Sequence, residues 1–145
     1  MRRAAALLAV AVGLAACEDA GADQQAARQF VFQKLSTADR PVVVGPAVTQ
    51  SGFAVVDWTR GAFAGGRALV RKERGGWAFV LCGGAPLKRR PVLERAGVPD
   101  GAAGMLATKL LREESRVTDE RRSQIEHWGG LGTNAASCPE PRPAT

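Results

Sequence analysis

The chain carries one histidine, His127, and three cysteines, Cys17, Cys82 and Cys138, and these few side chains bound the chemistry open to it. Any Ser-His-Asp or Cys-His arrangement has to use His127. Ser123 lies four residues before it, and i, i+4 spacing puts the two on one helix face. A general base also needs an orienting carboxylate and an oxyanion site, and the spacing supplies neither. His127 is therefore expected at the surface, no catalytic residue is assigned, and the protein is read as not an enzyme. Asp57 beside Trp58, in an otherwise apolar run, is the more interesting carboxylate; the expectation is that it points outward or bonds a glycine-turn amide. Soft metals want clusters of Cys, Met or His. Beyond Met1 the chain has only Met105 to set beside His127, so a Cu(I) site would need ligands from a partner. Gly65-Gly66 and Gly129-Gly130-Leu131-Gly132 do not follow a strand and open a helix, which argues against a phosphate loop. No cofactor is expected.

The cysteines divide by position. Met1-Arg2-Arg3 is followed by an uncharged Ala/Leu/Val run from Ala4 to Ala16, then by Cys17, Glu18 and Asp19. The run is too short to cross about 30 Å of hydrocarbon, and the arginines supply a positive n-region, so residues 1–16 read as a signal peptide. Leu14-Ala15-Ala16-Cys17 has the form of a lipobox, which makes Cys17 the lipidation site and the envelope, facing the periplasm, the expected location. That accounts for the odd thiol and leaves Cys82 and Cys138 as the one possible intramolecular disulfide. A pair so widely spaced, with no C-x-x-C, fits a structural bridge better than a metal or redox pair. It closes a loop of 56 residues, worth about 4 kcal/mol in the chain-entropy model. The two cysteines so claimed cannot build a closed zinc site.

These residues have to be positioned by one domain, because cleavage after Ala16 leaves 129 residues, too few for two comfortable cores. The mature charge is +4 and scattered. Its densest cluster, Lys88-Arg89-Arg90, lacks the aromatic neighbours of a stacking platform, so no nucleic-acid partner is expected; a solvated face or weak attraction to anionic headgroups is the simpler account. Residues 17–23 read as a polar tether, 24–138 as the domain and 139–145 as a disordered tail. Gln24 to Leu35 has an apolar stripe at helical period. Pro41–Thr49, Phe53–Thr59, Arg67–Lys72 and Trp77–Cys82 read as strands, separated by hairpin-sized Gly turns and a wider one over Ala62–Gly66. Alternation along the last strand predicts that Trp77, Phe79 and Leu81 share one buried face. Helical periods follow: one helix begins near Pro91, one is capped by Asp100 and runs to about Ser115, and one is capped by Thr118 and ends at Trp128-Gly129. The expected fold is α+β: an N-terminal helix, a four-stranded antiparallel meander, and C-terminal helices packed on one sheet face.

Several segments, taken together, carry a resemblance. Val44-Gly45-Pro46, Phe53 to Trp58, Gly65 to Arg71, Gly75 to Cys82 and Arg95-Ala96-Gly97-Val98-Pro99 resemble the small periplasmic proteins of the bacterial copper uptake system-associated family, with their G-G-W-x-x-x-L-C segment and following A-G-V-P. The likeness covers about Phe30 to Ser115, and the sequence from Val117 departs from it. It implies a non-enzymatic envelope accessory to copper uptake or handling that acts through a protein partner. It carries over no copper ligand, since the matching positions are glycines, aromatics and aliphatics. A second function stays open: a lipid-anchored binding or inhibitor module of the cystatin type, a helix and sheet presenting a surface to another envelope protein, with no metal role.

Overall fold

The computed structural model describes residues 15–133 and Cys138, with side chains from Ala20 onward. The signal-peptide stretch before Ala15, the thiol of Cys17 and the tail over 139–145 lie outside the described residues. The element order is α1 (Ala15–Leu35), β1 (Val42–Gln50), β2 (Phe53–Arg60), β3 (Ala64–Glu73), β4 (Gly76–Gly83), a 3-10 helix (Ala85–Lys88), α2 (Arg90–Arg95), α3 (Asp100–Glu114), α4 (Asp119–Glu126) and β5 (Leu131–Gly132). The strands form one antiparallel sheet in sequence order. The fold is α+β, as expected, with a fifth strand that the Gly-rich sequence near the C-terminus does not announce. No helix among the described residues is long and apolar enough to cross a membrane.

Both faces of the sheet are covered. The run Phe53 to Thr59 is buried at every position, which explains why β2 reads as a continuous apolar segment and not as an in/out alternation. Ala54, Val56 and Trp58 point to α1 and pack with its Ala27, Val31 and Leu35, which stand one helical turn apart. Phe53 and Val55 point the other way, to Leu93, Ala103, Leu106 and Leu110 of α2 and α3. The C-terminal helices thus share one face and the N-terminal helix takes the opposite one. Helix α1 also extends further than the sequence suggests: 17–23 continues it as helix, with Asp23 paired to Lys72 of β3 at 2.8 Å.

Several local expectations are corrected. Trp77, Phe79 and Leu81 do not share a face, because β4 carries one extra residue at Val80: Leu69 pairs with Leu81 while Val70 pairs with Phe79. A bulge of one residue flips everything beyond it, so Trp77 and Phe79 pack toward α1 and Leu81 toward α2 and α3. Trp77 is half-buried, and the tryptophan wholly enclosed in the core is Trp58, at 0% exposure. Ala64-Gly65-Gly66 belongs to β3, which shortens the preceding turn to Gly61-Ala62-Phe63. Asp100 is the first helical residue of α3, behind Pro99, and its carboxylate pairs with Arg90 instead of capping. Thr118 caps α4 as expected, accepting from the Arg121 N–H, although the helix ends at Glu126, before Trp128.

The bridge between Cys82 and Cys138 is formed, with S–S 2.02 Å. It ties the end of β4 to the chain beyond β5, on the α1 side of the sheet.

Truncating Trp58 should cost about 3–5 kcal/mol, the usual range for a fully buried aromatic. Trp77→Ala, at a half-buried position, should cost clearly less. Chemical denaturation of the two variants checks the order; equal midpoints would mean that the α1 side of the sheet is not the packed core described.

Candidate functional site

Asp57 belongs to the row of β2 side chains that faces the C-terminal helices, and it sits directly across the ladder from Arg67 of β3. Both are 0% exposed. A charged pair inside a doubly covered sheet has to be answered by the elements packed over it. Glu114, in the last turn of α3, does most of this: its two carboxylate oxygens each accept from Arg67, from Nε and Nη2, both at 2.7 Å. Arg67 Nη1 donates to the Gly84 carbonyl at 2.8 Å, and Nη2 reaches Glu126 of α4 at 3.3 Å. Glu126 in turn accepts from Lys88 at 2.6 Å. One guanidinium therefore joins β3, the turn after β4, α3 and α4. Arg121 of α4 lies along the same face, donating to Thr59 and to the Gly45 carbonyl at 2.7 Å.

Helix α4 comes this close because β3 and the turn after β4 offer glycine. A Cβ on Gly65 would lie 2.8 Å from the Gln124 carbonyl oxygen, and one on Gly84 would overlap the Trp128 carbonyl oxygen. Of the doublet read as a turn, Gly65 thus makes room for a helix backbone, while a Cβ on Gly66 would meet the Gly83 carbonyl oxygen at 2.7 Å and the Trp58 ring.

Asp57 is the unsatisfied member. Its nearer oxygen stands 3.7 Å from Arg67 Nε, beyond hydrogen-bond range, and neither oxygen accepts a hydrogen bond. Burial first, and the facing Glu114 second, push Asp57 well above the ordinary carboxylate range, against the pull of Arg67 and Arg121. With the proton on, Asp57 can donate to Glu114, and the buried group holds one cation against one anion. Burial alone would lower Arg67, but the Glu114 bonds and the charges of Asp57, Glu114 and Glu126 prevail, so the guanidinium stays firmly charged. Glu126 is lowered, chiefly by Lys88, and Arg121 is lowered by burial.

Above this network lies a cleft of about 570 Å3, walled by Lys88 and Arg89 on one side, Ala107, Thr108, Leu111 and Glu114 of α3 with Ser115 just after it, and Arg122 and Glu126 of α4. Glu114 and Glu126 belong both to the cleft wall and to the buried network.

The residues singled out from sequence are placed as follows. Asp57 neither points outward nor bonds a glycine-turn amide; it is buried against Arg67. Ser123 and His127 are both exposed and line one shallow hollow with Glu120 and Phe63, and no hydrogen bond joins them. Gly65-Gly66 lies within a strand, and Gly129-Gly130 leads into β5. Met105 is 50% exposed on α3, and no group of three His, Cys, Asp or Glu able to hold a metal ion occurs among the described residues. In the basic cluster Lys88 pairs with Glu126, and Arg90 with Glu94 and Asp100. Sequence reasoning missed Arg67 and Glu114, though both left a signal. Arg67 opens the apolar run Ala68-Leu69-Val70 after two glycines, and Glu114 continues the buried stripe Ala103, Leu106, Leu110. No protein-family model, curated protein or solved structure matches the chain.

Because the folded state raises the Asp57 pKa, its share of stability is fully present below the unfolded value of about 3.9 and is lost as pH rises through the folded value. Asp57→Asn mimics the protonated form. Wild type and variant should have similar stability near pH 3.5, and the variant should gain on wild type as pH rises, since the shifts of Glu126 and Asp100 are common to both. Denaturation midpoints measured from pH 3.5 to 9 check this; parallel curves would mean that Asp57 is ionised at no cost.

Proposed function

We propose that the protein is an exported envelope lipoprotein, tethered through a lipidated Cys17 and facing the periplasm, that serves without catalysis as an accessory to copper uptake or handling through a protein partner. The observation that carries the envelope part is the Cys82–Cys138 bridge. A disulfide suits an oxidising compartment and leaves Cys17 as the single odd thiol, next to a stretch with signal-peptide grammar. Helix α1 begins at Ala15 and runs on into the core. A lipid on Cys17 would therefore sit near the head of a continuous helix and hold the domain close to the bilayer. More than one acyl chain would make the attachment stable.

The copper part rests on the family resemblance. In this reading copper is held mainly by the partner, and Met105 and His127 are the soft side chains this chain can add from its surface. Phe63, 82% exposed beside His127, is an apolar residue at the end of the sheet opposite the Asp23–Lys72 pair. With the anchor at the other end of α1, that end faces away from the membrane and is open to a partner.

Cys17→Ser should abolish acyl labelling and release the protein from membranes. Under copper limitation, cells making only that variant should match cells lacking the chain, with less copper than wild type by elemental analysis. Copper content unchanged by loss of the chain would leave the binding or inhibitor module without a metal role as the standing reading; acyl label retained by Cys17→Ser would remove the anchor.

A further inference from the structure

We propose that the cleft between the 3-10 helix, α3 and α4 binds an amphipathic anion: a carboxylate on an apolar body the size of a medium-chain fatty acid. Its volume, about 570 Å3, falls in the range of small-molecule sites. One wall is apolar, and Leu111, the residue that dominates it, is 71% exposed. Opposite stand cations, and their engagement differs. Lys88 is held by Glu126, and Arg122 by Asp119 and the Val117 carbonyl. Arg89 is exposed and has no ion pair or side-chain hydrogen bond among the described residues, so its planar fork is open to a carboxylate.

The acids in the cleft wall do not cancel this charge. Glu114 has both oxygens on Arg67, and Glu126 is shared by Lys88 and Arg67. One cation at the mouth, Arg89, is therefore left without an anion of its own among the described residues. The network beneath supplies a second argument. Buried ion pairs are a poor source of stability compared with apolar packing of the same volume, yet here one fixes two acidic residues of the cleft wall from below. Rigid support of this kind is what a preformed binding site requires. An inorganic anion would leave Leu111 and Ala107 uncovered, and a neutral hydrocarbon would leave Arg89 unanswered. The proposal stands apart from the copper and anchor readings.

Calorimetric titration of the full chain carrying Cys17→Ser, which removes the site of any attached lipid, tests it with octanoate, octanol and acetate as probes. Octanoate should bind saturably at one site, and acetate far more weakly. Arg89→Gln should weaken octanoate by about tenfold or more, the cost of losing a charge-assisted contact, and leave octanol unchanged. Leu111→Asp should abolish octanoate binding. Both positions are exposed, so unchanged melting curves should certify the variants as folded. Phe63→Ser, in a separate hollow, should bind as wild type does. Absence of saturable octanoate binding, acetate binding as tight as octanoate, or undiminished octanoate affinity in Arg89→Gln would each overturn the proposal.

Discussion

A guanidinium sealed inside a protein must have its donors answered, and Arg67 draws on several elements at once to do so. Its Nε and Nη2 take both oxygens of Glu114, its Nη1 takes the Gly84 carbonyl, and Nη2 also reaches Glu126. The geometry is the bidentate fork for which arginine is suited and lysine is not. Because the donors point to fixed places, the end of α3, the turn after β4 and the body of α4 are fixed relative to β3. The apolar contacts of α3 with β1 and β2 are not so directional; the charge pair sets where the last turn of that helix lies.

Other features of the chain follow from this constraint. Gly65 and Gly84 have no room for a side chain because α4 and the segment after it are drawn down onto the sheet beside Arg67. Asp57, directly across the ladder, is left without a hydrogen bond of its own, and its burial beside Glu114 raises its pKa. The cleft over the network takes its two acidic wall residues from it, so the same interaction that orders the helical layer also shapes the hollow between α3 and α4. On the other side of the sheet the organisation is conventional: Trp58, Val56 and Ala54 against one stripe of α1, closed at the edge by the disulfide.

The sequence made some of this legible. Periodicity located the four long strands and the C-terminal helices to within a few residues, since apolar runs between glycine turns leave little choice of element, and two cysteines allow one pairing; it missed the polar first turns of α1, from Ala15, and the short β5. It was less informative where tertiary contact overrides pattern. The Val80 bulge has no signature in Trp77 to Cys82, so strict alternation put Leu81 on the wrong face. The doublet Gly65-Gly66 has turn composition but serves close packing, Gly65 against α4 and Gly66 against Gly83 and Trp58, a need visible only once those neighbours are in place. The buried network was hidden for a related reason. Arg67 and Asp57 are 47 and 57 residues from Glu114, and only the hairpin register and the packing of α3 bring them together. Asp57 drew notice because it interrupts an apolar run; Arg67 does the same at the start of the next strand, and reading the two runs as paired would have joined them.

If Arg67 and Glu114 organise the helical layer as described, their energies must be strongly coupled. A double-mutant cycle with Arg67→Met, Glu114→Leu and the double variant, followed by chemical denaturation, measures that coupling directly. Each single replacement leaves a buried charge without its partner and should cost about 3–5 kcal/mol, or prevent accumulation altogether. The double variant, with neither charge, should recover most of that loss. Additive costs, with the double variant destabilised by the sum of the singles, would contradict the account.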